Sequence, residues 1–263
     1  MNRLDGAFTH LKQQGEPGLV TYITAGDPDL ARTAELLRAL PAAGADVVEV
    51  GVPFSDPMAD GPVIQRASER ALRSGTTMSA ILEMLVRERS NIDAPIVLFT
   101  YANPVERMGY AGFIEAAAAA GVDGVLVLDL PIDEAGTLAD GLKQRRIAPV
   151  FLVSPTTPAA RIARAASFGS GFLYAISRLG VTGAQQQLSG DASSVVRAIR
   201  AVSSLPVALG FGISTPEQVK AACALADAAV VGSALVQVIG EAAAESTLVE
   251  RACAHVSWLK GRA

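Results

Sequence analysis

The chain has few of the residues that most often carry covalent or metal chemistry. Among 263 residues there are two histidines, His10 and His255, two cysteines, Cys223 and Cys253, and four lysines, Lys12, Lys143, Lys220 and Lys260. Two cysteines are too few for a disulfide framework and point to a reducing cytoplasm. A surplus of charge is also missing: 22 basic against 26 acidic residues give a net charge of −4, with no block of one sign. That balance excludes an electrostatic platform for nucleic acid or anionic lipid. Long apolar runs are missing too. The longest, Ala221 to Val236, is broken by Asp227 and Gly232, so no segment reads as membrane-spanning. The N-terminal stretch MNRLDGAFTHLKQQGEPG has no apolar centre and is not expected to be a signal peptide. What the chain has in quantity is hydrophobic residues, 50% against 18% charged, enough to bury a sizeable core.

Those hydrophobic residues come in short runs: GLVTYIT (18–24), DVVEV (46–50), PIVLFTY (95–101), GVLVLDL (124–130), APVFLV (148–153), GFLYAI (171–176), PVALG (206–210) and DAAVVG (227–232). Runs apolar on both faces are the pattern of parallel strands covered by helices. The gaps between them hold helical patterns, such as Leu30–Ala43, Gly112–Ala120, Pro158–Phe168, Ala192–Val202 and Pro216–Leu225. The phrases AAGADVVEVG and AAGVDGVLVLD place Gly44 and Gly121 where helices end in a left-handed cap. Eight strands alternating with helices over this length predict one α/β domain over 1–263, a (β/α)8 barrel with an extra N-terminal helix. The rival is an open doubly wound sheet, but the first turn reads TAGDPD and lacks the Gly-rich fingerprint of that fold. The gap between strands two and three is double length and should hold a long loop plus a helix. A second long loop is expected after strand six.

Barrel active sites are assembled at the C-terminal ends of strands and in the loops that follow. Those positions are Thr24–Asp27, Glu49–Asp60, Tyr101–Asn103, Asp129, Ser154, Ser177–Gly183, Gly210–Ser214 and Gly232–Ser233, and they include no lysine and no histidine. A Schiff-base amine and a histidine acid–base or metal site at the barrel mouth are therefore not expected. Carboxylates, hydroxyls and glycine loops remain. Glu49 interrupts the apolar run VVEVGVPF, where desolvation raises its pKa and suits it to proton transfer. Its bland reading is a strand-end carboxylate satisfied by a loop N–H. The loop GVPFSDPMADGP that follows carries Asp56 and Asp60, either turn formers or, for one of them, a carboxylate delivered opposite Glu49.

GFGIS (210–214) after strand seven and GSAL (232–235) after strand eight are the loops in which barrels hold phosphate, and their glycines let backbone N–H groups approach an anion. Gly180 to Gly183 bracket a third glycine loop, expected to act as a lid. Tyr22, Phe99, Leu126, Tyr174 and Phe211 face the same end, as core or as the walls of a slot for a flat apolar ring.

Taken in order, ITAGDP (23–28), EVGVPFSDPMADGPVIQ (49–65), LDLP (128–131), SRLGVTGA (177–184), GFGIS and VVGSAL (230–235) resemble the tryptophan synthase α-subunit family, from about residue 5 to the last helix. The resemblance implies cleavage of indole-3-glycerol phosphate to indole and glyceraldehyde 3-phosphate. It also implies a β subunit, in an α2β2 assembly, that takes the indole. No cofactor is implied for this chain, since pyridoxal phosphate belongs to that partner.

Carried over residue by residue, the catalytic carboxylates fall on Glu49 and Asp60. The pocket tyrosine falls on Tyr174, the lid threonine on Thr182, and the phosphate loops on Gly183, Phe211, Gly212, Gly232 and Ser233; Tyr22, Phe99, Leu126 and Phe211 are expected substrate contacts as walls of the ring slot. Because a β subunit would dock over the loops after strands two, three and six, Pro53, Asp56 and Asn103 are expected at the partner interface. The family's usual phenylalanine is Tyr22 here, and AQQQLSG after the lid is unusually polar. Two other functions are compatible with the pattern: a stand-alone lyase that releases free indole, and a catalytically silent barrel that binds a phosphate metabolite.

Overall fold

A computed structural model describes residues 2–176, 191–210 and 212–262. Eight strands close into a parallel barrel in sequence order, β1 pairing with β8. They are β1 (Gly18–Thr24), β2 (Val47–Gly51), β3 (Ile96–Thr100), β4 (Gly124–Val127), β5 (Ala148–Val153), β6 (Leu173–Ile176), β7 (Val207–Gly210) and β8 (Ala228–Val231). Around them run α1 (Arg3–Gln14), α2 (Leu30–Ala43), α3 (Pro62–Arg73), α4 (Met78–Glu88), α5 (Ala102–Met108), α6 (Tyr110–Ala119), α7 (Gly136–Gln144), α8 (Ala159–Phe168), α9 (Asp191–Arg200), α10 (Pro216–Cys223), α11 (Ser233–Glu241) and α12 (Leu248–Leu259). The expected (β/α)8 barrel and its additional N-terminal helix are both present. Among these helices none is long and apolar enough to cross a membrane.

The doubly apolar strand runs have a direct cause. Alternate residues of each strand face two separate cores, one between strands and helices and one inside the barrel. In β2, Val48 and Val50 pack outward while Val47 packs inward. The inner core is closed from below by α1, which inserts Leu4, Phe8 and Leu11 beneath Val20, Val47, Val97 and Val230. Asn2 and Asp5 form a capping box at the start of this helix, satisfying two backbone N–H groups that would otherwise be orphaned. The barrel therefore has an apolar floor, and its polar chemistry is confined to the other end.

Gly44 ends α2 with φ +118°, and Gly121 follows α6 with φ +66°, as their left-handed caps require. The β2–β3 gap departs from expectation. It holds two helices, α3 and α4, rather than one, because the turn Ser74–Thr77 breaks the helical run and Thr77 caps a second helix. The long loop after β2 is present as residues 52–61. The predicted long loop after strand six falls outside the described residues.

Candidate active site

Inward-facing positions of β1, β2, β3 and β6 place Tyr22, Glu49, Phe99 and Tyr174 around one cavity at the C-terminal end of the barrel. Register sets Tyr22 beside Glu49 and Glu49 beside Val97 on the next strand. The loops after β7 and β8 add Gly212, Ile213, Gly232, Ser233 and Ala234 to the wall, and β8 adds Val230. Asp60 and Ile64 enter from the loop after β2 and the first turn of α3. Residues separated by almost the full chain thus share one pocket.

Glu49 stands directly above the apolar floor. It is 1% exposed, and neither carboxyl oxygen has a hydrogen-bond partner among the described residues. The bland reading, a carboxylate satisfied by a neighbouring N–H, is not what the structure shows. Burial without a compensating donor disfavours the charged form and pushes its pKa up to about 8. Asp60 is also buried, and burial raises its pKa to about 6. It differs in having a donor: the Tyr101 hydroxyl donates to Asp60 Oδ2 at 2.9 Å, which favours the ionised form and offsets part of the rise. Near neutral pH the site therefore holds one protonated and one ionised carboxyl. Such a separation by environment is what an acid and an electrostatic partner need.

The loop that presents Asp60 is held at several points. The Asp60 N–H donates to the Pro57 carbonyl at 3.0 Å, and Gln65 Nε2 donates to the Asp60 carbonyl at 2.8 Å. Tyr101 accepts from the Ala59 N–H at 3.3 Å and lies 5.0 Å from the Phe54 ring. Asp56, by contrast, is exposed, and the Ser55 hydroxyl donates to its side chain. It shares a surface groove with Pro53 and Asn103, away from the cavity.

The aromatic wall depends on glycine. Tyr22 meets Phe99 edge-on, with ring centroids 5.4 Å apart. A Cβ at Gly51 would lie 2.0 Å from the Tyr22 hydroxyl, and one at Gly210 would lie 2.5 Å from the Tyr174 hydroxyl. Each ring occupies the volume that a side chain on the neighbouring strand would fill. Burial raises the pKa of both phenols, so they stay protonated.

In the loop after β7, Gly212 has φ +83°, a conformation open to glycine. Gly232 precedes α11, whose first turn has no side-chain cap. Its leading N–H groups are left available to an anion.

Of the predicted site residues, Tyr22, Glu49, Asp60, Phe99, Tyr174, Gly212, Gly232 and Ser233 come together in the cavity. Leu126 does not. It is 1% exposed and lies in the inner core with Val97 and Val150, and no described residue of β4 or β5 lines the pocket. Facing inward is not enough, because the cavity is lined from β1, β2, β3, β6 and β8 and lies away from β4 and β5. Thr182, Gly183, Phe211 and the lid loop from Gly180 lie outside the described residues. Ile64 and Val230, which look like ordinary core, are not singled out by the sequence, and Ile213 and Tyr101 are marked only by their place after strands, Tyr101 having its partner 41 positions away. Among the described residues, no group of three or more His, Cys, Asp or Glu is placed to hold a metal ion.

Comparison with known proteins agrees with this geometry. The family model described as tryptophan synthase alpha chain matches residues 8–261. A tryptophan synthase alpha chain of Laribacter hongkongensis is 51% identical over 247 residues, 94% of each chain. One from Pelobacter propionicus is 49% identical, over 90% of this chain and 89% of its own. The crystal structure of tryptophan synthase subunit alpha from Legionella pneumophila superimposes with a TM-score of 0.90 at 36% identity. That match covers 100% of this chain and 98% of the other. A chain of Mycobacterium tuberculosis tryptophan synthase gives 0.91 at 35% identity, covering 99% and 98%. With a family model that spans nearly the whole chain, relatives about half identical and a closed barrel that superimposes on theirs, the chain belongs to the tryptophan synthase alpha chain family, the lyases that split indole-3-glycerol phosphate into indole and glyceraldehyde 3-phosphate.

Proposed function

We propose that Glu49 is the general acid and base of this cleavage and Asp60 its electrostatic partner. The observation that carries the assignment is the buried, unpartnered carboxyl of Glu49 opposite a hydrogen-bonded Asp60. The bond to be broken joins indole C3 to the carbinol carbon, and indole leaves poorly as a carbanion. Protonated Glu49 delivers its proton to C3, giving a cationic indolenine. Ionised Asp60, hydrogen-bonded to the ring N–H, stabilises that charge where it develops. Glu49, now a carboxylate, removes the carbinol hydroxyl proton as the carbon–carbon bond breaks. The electron pair of that bond restores the indole ring, the carbinol carbon becomes the aldehyde, and Glu49 is protonated again. The aromatic walls Tyr22, Phe99 and Tyr174 form a slot for the flat ring.

The phosphate is assigned to Gly212, Gly232 and Ser233 at the start of α11, where backbone N–H groups and the helix dipole favour an anion. Anchoring that end orients the reacting carbon. Thr182, Gly183 and Phe211 are assigned to the same pocket by resemblance alone.

A β subunit is the expected partner, in an α2β2 assembly in the cytoplasm. Pro53, Asp56 and Asn103 line one groove at the catalytic end, which supports their assignment to the docking face. Pyridoxal phosphate is placed with the partner and no cofactor with this chain. Titrating a β subunit into the purified chain while following indole release from indole-3-glycerol phosphate tests the reading. Slow cleavage alone with partner-dependent acceleration is expected. A fast chain that ignores the partner supports a stand-alone lyase, and no indole under either condition supports a silent binding barrel.

A further inference from the structure

The helix that follows Asp60, α3, is tied to the barrel by an ion pair that the mechanism above does not use. Asp27 lies in the loop between β1 and α2, with its side chain 1% exposed. Arg70, in the last turns of α3, meets it with two bonds: Nε donates to Oδ1 and Nη2 donates to Oδ2, each at 2.7 Å. A forked guanidinium–carboxylate pair fixes an angle as well as a distance. Its seat is shaped from the far side by α11, where a Cβ at Gly240 would lie 2.6 Å from Arg70 Nη2. Just beyond Arg70, Ser74 Oγ donates to the Ala71 carbonyl at 2.8 Å and lies 3.2 Å from the Gly26 carbonyl, so the C-terminal end of α3 rests against the same loop.

At the other end of α3, Gln65 Nε2 holds the Asp60 carbonyl at 2.8 Å. Between Pro62 and Arg70 the helix is a rod of about 12 Å, at 1.5 Å per residue, and Asp60 stands two residues before its first turn. Through Gln65 and the short Asp60–Gly61 link, the seating of α3 bears on where the Asp60 backbone stands.

We propose that Arg70 is a positioning residue for the cleavage: its forked pair with Asp27 fixes the seating of α3, and through α3 the placement of the Asp60 carboxylate against the substrate ring. This rests on the role given to Asp60 above. Lysine at position 70 keeps the charge but makes a point contact without a fork, and so separates geometry from electrostatics.

The experiment compares Arg70→Lys, Asp27→Asn and Asp60→Asn with the double variant Arg70→Lys/Asp60→Asn. Folding is checked by circular dichroism and melting, kcat is measured with indole-3-glycerol phosphate, and glycerol 3-phosphate binding by calorimetry. Arg70→Lys should remain folded and lose roughly 10- to 100-fold in kcat, the scale of an ångström-level misplacement. Asp27→Asn should lose activity in the same direction. Glycerol 3-phosphate affinity should change less than about twofold, because the phosphate end of α11 is remote from Gly240. In the Asp60→Asn background Arg70→Lys should cost nothing further, a non-additivity that a merely structural role does not produce.

Wild-type kcat in Arg70→Lys overturns the proposal. So does an equal fold-loss in both backgrounds, a parallel loss of glycerol 3-phosphate binding, or unfolding of both single variants of the pair. Full activity in Asp60→Asn removes the mechanism above and this proposal with it. An inactive Asp60→Asn with an additive Arg70→Lys removes the positioning role alone.

Discussion

Replacing Tyr101 with phenylalanine deletes one hydrogen-bond donor to Asp60 and keeps the ring that lies against Phe54. A hydrogen bond to a charged group contributes about 1.5–3 kcal/mol, and one pKa unit corresponds to about 1.4 kcal/mol. Losing the donor should therefore raise the Asp60 pKa by roughly 1–2 units. The wild-type value stands at about 6, with the Tyr101 bond already opposing the effect of burial. The mechanism needs Asp60 ionised, so activity appears above its pKa. It needs Glu49 protonated, so activity is lost above about 8.

The wild-type kcat/KM should trace a bell between those two values. In Tyr101→Phe the acid limb moves up to between about pH 7 and about pH 8 and meets the basic limb, so the plateau disappears. At about pH 6.5 the rate should fall roughly tenfold, while near about pH 8 it should change less than about twofold. Glyceraldehyde 3-phosphate release, coupled to an excess of its dehydrogenase and followed as NADH absorbance across pH, reads this directly. A uniform loss at every pH, with the acid limb unmoved, would refute the argument that Tyr101 holds Asp60 ionised.

Other perturbations separate the remaining roles. Asp60→Asn should cost about 10²–10³-fold in kcat, as loss of a preorganised electrostatic contact does. Asp56→Asn, exposed and outside the cavity, should leave intrinsic cleavage within about twofold and act on partner activation instead. Equal losses at the two positions, in the same indole-release assay, would mean that the second carboxylate has been misplaced. Gly51→Ala puts a methyl group 2.0 Å from the Tyr22 hydroxyl, so the ring must leave its place. An increased KM and a stability cost of about 1–3 kcal/mol are expected from kinetics and denaturant unfolding. Unchanged values would show that the aromatic wall moves freely.

Much of this was legible in the sequence because the barrel repeats one local rule. Apolar runs on both strand faces report two cores, and a carboxylate inside such a run stands out, which is how Glu49 was found. Asp60 and the two glycine loops were legible by their place after strands. What was not legible depends on register. Nothing near Tyr101 in the chain marks it as the donor to Asp60, because the contact exists only once β3 is aligned beside β2 and the loop folds over both. Leu126 was misplaced for the same reason: periodicity says that it faces inward, and only the closed barrel shows which inward residues reach the cavity. Gly51 and Gly210 read as ordinary strand ends until Tyr22 and Tyr174 are seen filling the space beside them. The second helix between β2 and β3 was missed because Ser74–Thr77 is a short interruption in a pattern that remains helical on both sides.

The central claim is that one buried carboxyl both gives and takes the proton. Glu49→Gln keeps the shape and hydrogen-bonding size of that side chain and removes its titration. Steady-state cleavage of indole-3-glycerol phosphate by this variant, with glycerol 3-phosphate binding measured on the same sample, is the most direct test. The account predicts a kcat loss of at least about 10²–10⁴-fold, the usual scale of general acid–base catalysis, with binding nearly unchanged. Cleavage within about tenfold of wild type would contradict it, since the account gives that proton to Glu49 alone and keeps Asp60 ionised.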